Sequence, residues 1–144
     1  MNITTTRFGE IEVQEDRVFE FVMPFIGYDQ YKKYVLLEHN QNSNFRWVQS
    51  TELPELAFAV ASAALLNIEY VIDLPDSAVE KLQIDSVEDL LVLNVASIPH
   101  NNPREATINL LAPIIMNLKQ KIAGQVILTG SGYDVSFPMF KKEE

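Results

Sequence analysis

The side chains that could do chemistry in this 144-residue chain are few in kind: two histidines, one serine between glycines, and twenty carboxylates. His39 and His100 sit in "EHNQNSN" and "IPHNNP", beside turn-forming residues, with no H-x-x-x-H or H-E-x-x-H spacing. Both are expected to face solvent, and neither suggests a metal site. Cysteine is absent, which removes disulfides, thiolate nucleophiles and Cys-based zinc sites. Ser131 lies in "TGSGY", a superficial likeness to a nucleophile elbow. The elbow requires G-x-S-x-G between a strand and a helix, whereas here the spacing is G-S-G and strand-like residues follow. A hairpin turn is the simpler expectation. With five glycines in all, no phosphate cradle is present.

The carboxylates need separate weighing. A glycosidase needs two of them at a fixed separation, which sequence does not give. Most acids here alternate with apolar residues and so fall on a solvated face. The densest block holds Glu69, Asp73, Asp76, Glu80, Asp85, Glu88 and Asp89 against Lys81 alone. It lacks the alternate-oxygen order and sixth-position glycine of a calcium loop. It reads as a solvated face or as a docking surface for a basic partner. Two function classes remain: a non-catalytic binding protein acting through its surface, and a small hydrolase with an acid-based site. With no nucleophile, base and orienter forming a set, the first is favoured, and no cofactor is expected.

The elements that must position these residues follow a period of two, the signature of strands. "GEIEV" (9–13), "RVFEFVM" (17–23), "YVLLEH" (34–39), "FRWVQS" (45–50), "EYVIDL" (69–74), "LLVLNVASI" (90–98), "QVILTG" (125–130) and "YDVSFPMF" (133–140) all read so. In the second, Phe19, Phe21 and Met23 share a face. In the fifth, Ile68, Tyr70, Ile72 and Leu74 oppose Glu69, Val71 and Asp73. "PELAFAVASAALLN" (54–67) is assigned as strand through Ala61, then turn. One helix is expected over 77–84, with Val79 and Leu82 three apart and Ser77 and Glu80 as a capping box, ending at Asp85 and Ser86. The expected fold is all-β: a small barrel or sandwich of nine to ten antiparallel strands with one short helix, as a single domain over 1–144.

Bulk properties bound the function further. Hydrophobic residues make up 47% of the chain, enough for a packed core. The first twenty residues carry seven charges and leave no room for a signal-peptide core. Charge-free runs such as the 13 residues of 56–68 are too short to cross a bilayer as a helix. A soluble cytoplasmic protein is expected. The net charge of −9 is uneven: residues 1–103 carry 16 acids and 6 Lys/Arg, whereas 104–144 carry 4 and 5. The acidic front repels phosphate backbones, so direct nucleic-acid binding is disfavoured.

"TINLLAPIIMN" (107–117) resists a plain strand reading, because Pro113 has no N–H for a ladder. Thr107 to Ala112 is expected to be strand, with Pro113 at a bulge, bend or edge. Ile114 to Met116 resume the strand, and Asn109 and Asn117 fix the kink through backbone hydrogen bonds. This stretch resembles T-x-N-L-x-A-P-I-x-x-N, the most characteristic element of the FliW family of bacterial flagellar assembly factors. "TRFGEIEV" (6–13), "FRWVQS", "LAFAVAS" (56–62) and "GSGYDVSFPMF" (130–140) are similar to further family motifs, in the same order. The chain departs from the family at "AALLNIEY" (63–70), where a Pro- and aromatic-rich stretch is usual. It departs again at Ser136 and Phe137, where Arg-His is common.

The resemblance implies a non-enzymatic cytoplasmic regulator. Such proteins bind flagellin near its C-terminal helical segment and also bind CsrA, a small basic RNA-binding repressor of translation. Flagellin export then frees the factor to antagonise CsrA. On this basis Glu69, Asp73, Asp76, Asp85, Glu88 and Asp89 are expected to attract CsrA, and Ile108, Leu110 and Ile114 to offer apolar contact to flagellin. Thr107, Asn109, Ala112, Pro113 and Asn117 are expected to be structural.

Overall fold

The structure, a computed structural model, describes residues 1–38 and 45–140. His39 and the expected turn over 40–44 lie outside the described residues.

Seven strands close into a barrel. In sheet order they are β7 (Leu90–Ser97), β6 (Ala57–Ala61), β5 (Arg46–Ser50), β4 (Lys33–Leu37), β3 (Val18–Met23), β10 (Ile122–Gln125) and β9 (Ile114–Asn117). The ring shuts because β9 pairs back onto β7, Leu90 opposite Asn117 through Leu93 opposite Ile114. Closure leaves no free edge around the ring. Off β7 continue β8 (Thr107–Ile108) and β11 (Phe137–Pro138), while β1 (Asn2–Thr5) and β2 (Gly9–Glu12) form a separate hairpin.

The interior is filled by the alternating inward faces of these strands: Phe19, Phe21, Tyr34, Val48, Val60, Leu93, Ile114, Met116 and Ala123. Phe25 plugs this core, stacked at 4.7 Å on Phe21 and 4.0 Å on Phe58. Gln49 is fully buried on β5; its amide donates to the carbonyls of Ser50, Pro54 and Leu56. Ser50 Oγ accepts from the N–H groups of Glu52 and Leu53. The "QS" pair therefore builds the turn between β5 and β6.

Several expectations are corrected. The described residues form eleven strands, in line with the small all-β barrel of about nine to ten that is expected, but the pairing is not antiparallel throughout: β3 pairs with β10 in parallel. A bulge accompanies that pairing: Ala123 faces Phe21, but Gly124 faces Met23, so Val22 is the extra residue. Met23 is thereby turned out of the barrel core onto a second cluster with Leu82 and Val126, off the face of Phe19 and Phe21. Residues 69–74 alternate in burial as expected but pair with no strand, since no neighbour presents a ladder to them. Strand β10 precedes the expected 125–130. Val126 and Leu128 instead donate singly to the carbonyls of Pro113 and Leu111. Around Ser131 there is a turn, closed by Ser131 N–H on the Leu128 carbonyl, but its flanks do not pair as a hairpin.

Helix α1 (Asp76–Lys81) is shorter than 77–84 and uses no capping box. Pro75 is its N-cap, with no side-chain cap hydrogen bond. It ends because Gln83 takes a left-handed φ of 51°. Ile84 N–H then bonds the Val79 carbonyl and Gln83 N–H that of Glu80, a Schellman ending. No helix among the described residues is long and apolar enough to cross a membrane.

Candidate interaction surface

The "TINLLAPIIMN" stretch spans a gap in one ladder. Ile108 pairs with Ala96, and Ile114 pairs with Leu93. Five residues, 109–113, therefore arch over the two residues Asn94 and Val95 of β7. The expected strand through Ala112 stops at Ile108, and the chain bends at 110–112 just before Pro113. Pro113 does sit at a bend rather than in a continuous ladder. Every carbonyl and amide of an arch needs a partner once it is buried. Asn109 N–H donates to the Val95 carbonyl, and Asn109 Oδ1 accepts from Ala112 N–H at 3.0 Å. Asn94 Nδ2 donates to the Asn109 carbonyl at 2.9 Å, and Tyr70 Oη donates to the Leu110 carbonyl. On the other flank, Leu110 N–H bonds the Asp134 carbonyl.

Asn117 closes the element. Its Nδ2 donates to the carbonyls of Leu82 and Gln83 at the end of α1, at 2.8 and 3.1 Å. Its Oδ1 accepts from Lys119 and Gln120 N–H. Thr107 pairs on β8, and Ala112 and Pro113 are buried, so all five expected structural residues are built into the arch or its ends. Ile108, Leu110 and Ile114 are corrected: they are 0%, 2% and 0% exposed, packed in the core, and present no apolar surface. Their alternation was legible; which side of the chain faces solvent was not.

The acidic block has a different placement. Residues 68–89 form an outer layer over the barrel wall. Tyr70, Ile72, Leu74, Ala78, Leu82 and Ile84 pack inward against Ile115, Val92, Val126 and Leu128. Glu69, Asp73, Asp76, Glu80, Asp85 and Glu88 face out, and Asp89 is half-buried in a 3-10 turn over Val87–Asp89. The six acids expected to attract a partner are thus brought onto one covering layer, five of them fully outward.

Tyr133, from the C-terminal motif, clamps this layer. Its hydroxyl accepts from Val71 N–H at 2.8 Å and donates to the Val71 carbonyl at 2.9 Å. Tyr70 and Tyr133 meet edge to face at 4.9 Å. Burial pushes the Tyr70 hydroxyl up to about 12, offset in part by the Asn94 hydrogen bond. Tyr70 lies on the expected inward face of "EYVIDL" and Tyr133 in the motif "GSGYDVSFPMF", but Asn94 is not singled out by the sequence reading, its one clue being a lone Asn inside "LLVLNVASI". A cleft of about 270 Å³ lies between Asp73, Leu74 and Pro75 on one side and Ile127, Leu128 and Thr129 on the other. His100 is exposed in its loop. Ser131 Oγ accepts from Tyr133 N–H, a turn-building role.

The polar residues of this region thus serve the backbone, and the acids serve the surface. Comparison with known proteins agrees with a shared framework. The family described as FliW protein matches residues 2–139. The chain is 38% identical over 144 residues to the flagellar assembly factor FliW of Syntrophus aciditrophicus, covering 100% of this chain and 90% of that protein. It is 39% identical over 140 residues to the FliW of Bacillus licheniformis, covering 96% of each. A crystal structure titled as that of the flagellar assembly factor FliW matches with a TM-score of 0.92 at 29% identity, over 100% of both chains. With sequence and barrel matched along their whole length, this chain belongs to the FliW family.

Proposed function

We propose that the chain is a cytoplasmic flagellar assembly factor that works without catalysis, binding flagellin and antagonising CsrA so that flagellin synthesis follows export. The family match over residues 2–139 carries this reading, because the relatives are named as flagellar assembly factors. The outward acids Glu69, Asp73, Asp76, Asp85 and Glu88, with Asp89, supply a field suited to a small basic repressor. Ile108, Leu110 and Ile114 act only by holding the arch in place, so flagellin must meet side chains outside that core. Flagellin and CsrA compete, and competition between two ligands is reciprocal. The test is calorimetric titration of the purified chain with flagellin and with CsrA, each repeated in the presence of the other. Binding of both, each weakening the other, is expected. Binding of neither partner overturns the reading.

A further inference from the structure

The segment 68–75 runs outside any sheet. Its burial alternates, Ile68, Tyr70, Ile72 and Leu74 half-buried against Glu69, Val71 and Asp73 exposed. In an extended chain the N–H and C=O of one residue point to one edge, and those of its neighbours to the other. Both groups of Val71 are taken by the Tyr133 hydroxyl, which fixes that edge as the one facing the protein. Tyr70 and Ile72 therefore direct their N–H and C=O to the opposite edge. Among the described residues none takes them. No described protein group satisfies this edge, so its donors and acceptors are left for water or for another chain. An open edge is a template for one further strand.

The outer face decides what kind of strand fits. Glu69, Val71 and Asp73 stand in a row at about 6.6–6.8 Å spacing. Val71 is 72% exposed, flanked by two carboxylates, and Ile127 is exposed beside the cleft at Asp73. Directly opposed side chains on neighbouring strands stabilise when charges are opposite and when apolar groups meet. We infer that the free edge of residues 69–73 receives an extended segment of a protein partner, carrying basic, apolar and basic residues at alternate positions, as an added β-strand. The acids alone would attract any cation; the unladdered backbone demands an extended one. Within the proposed function this requires only that the partner is a protein, not which protein.

The probe is a peptide, Thr-Lys-Thr-Val-Thr-Lys-Thr with blocked ends, titrated into the 15N-labelled full chain at low salt. The amides of Tyr70 and Ile72 are expected to shift and to exchange more slowly with solvent. Two N-methylated forms of the peptide separate backbone pairing from charge, each blocked along one edge. The form blocked on the paired edge should bind about tenfold more weakly, the loss expected for one or two hydrogen bonds, and the other form should bind as the parent does. Glu69→Lys with Asp73→Lys should weaken the parent peptide by a similar factor. Tyr133→Phe removes both bonds to Val71 and should also weaken it, with the barrel amides unshifted. Equal affinity of the two methylated forms, or shifts confined to other acids, overturns the inference. Peptide binding while flagellin and CsrA both fail to bind would overturn the proposed function and leave this edge standing.

Discussion

Asn117 holds four hydrogen bonds with one buried side chain, two to the end of α1 and two to the turn after β9. Its removal leaves two carbonyls and two N–H groups to find new partners in a place 2% exposed. Asn117→Ala is expected to cost about 2–4 kcal/mol, read as a lower urea midpoint with an unchanged slope. Tyr70 gives a pH signature instead. Its folded-state value is raised to about 12 from an ordinary 10. A raised value means the folded state holds the proton longer, so its contribution is complete below pH 10 and is lost as pH climbs from 10 to 12. Tyr34 is shifted upward for the same reason, burial foremost, and adds to the same alkaline loss. Tyr70→Phe should therefore flatten, not abolish, the fall in melting temperature above pH 10. It should also lower stability at neutral pH, because the Leu110 carbonyl loses its donor.

At the scale of elements, the parallel junction of β3 and β10 depends on a missing side chain. A Cβ on Gly124 would stand 2.7 Å from Met23 Cβ and 3.3 Å from Leu82 Cδ2. Gly124→Ala is expected to destabilise by about 1–3 kcal/mol through overpacking, and Met23→Ala, which keeps the clashing Cβ, should leave most of that loss in the double mutant when measured by chemical denaturation. Nothing in the residues around 124 announces this, because the neighbour is a hundred residues away in sequence. The same holds for the arch. Pro113 and the two asparagines were legible as a kink, since proline lacks a donor and Asn bonds backbone readily. That both ends of the kink would return to the same strand was not legible, because ladder partners are a property of the closed barrel. Faces fared better than pairings. In 68–74 the inward and outward sets are as the alternation says, yet no strand lies beside them. The Ser77–Glu80 box was a valid local signal that lost to Pro75, whose extended backbone starts the helix one residue earlier.

At the scale of the molecule, the charge split acquires a location. The acidic front half of the sequence places six outward carboxylates on one layer over the barrel wall, with Lys81 among them. Exposed charges act over a screened distance of about 8–10 Å at physiological ionic strength, so their influence lies in encounter more than in residence. On the proposed function, association with CsrA should therefore slow as salt rises. Asp73→Lys with Asp76→Lys should lower its on-rate more than it raises its off-rate, measured by surface plasmon resonance at two salt concentrations. Flagellin is expected to bind by apolar contact, with an on-rate that changes little with salt or with the double mutant. Equal salt dependence for the two partners, or an unchanged CsrA on-rate in the mutant, would remove the acidic layer from the mechanism. The distinction matters for regulation. If one partner arrives by electrostatic steering and the other does not, ionic strength shifts which of them reaches the free protein first, while the proposed competition at equilibrium stays reciprocal.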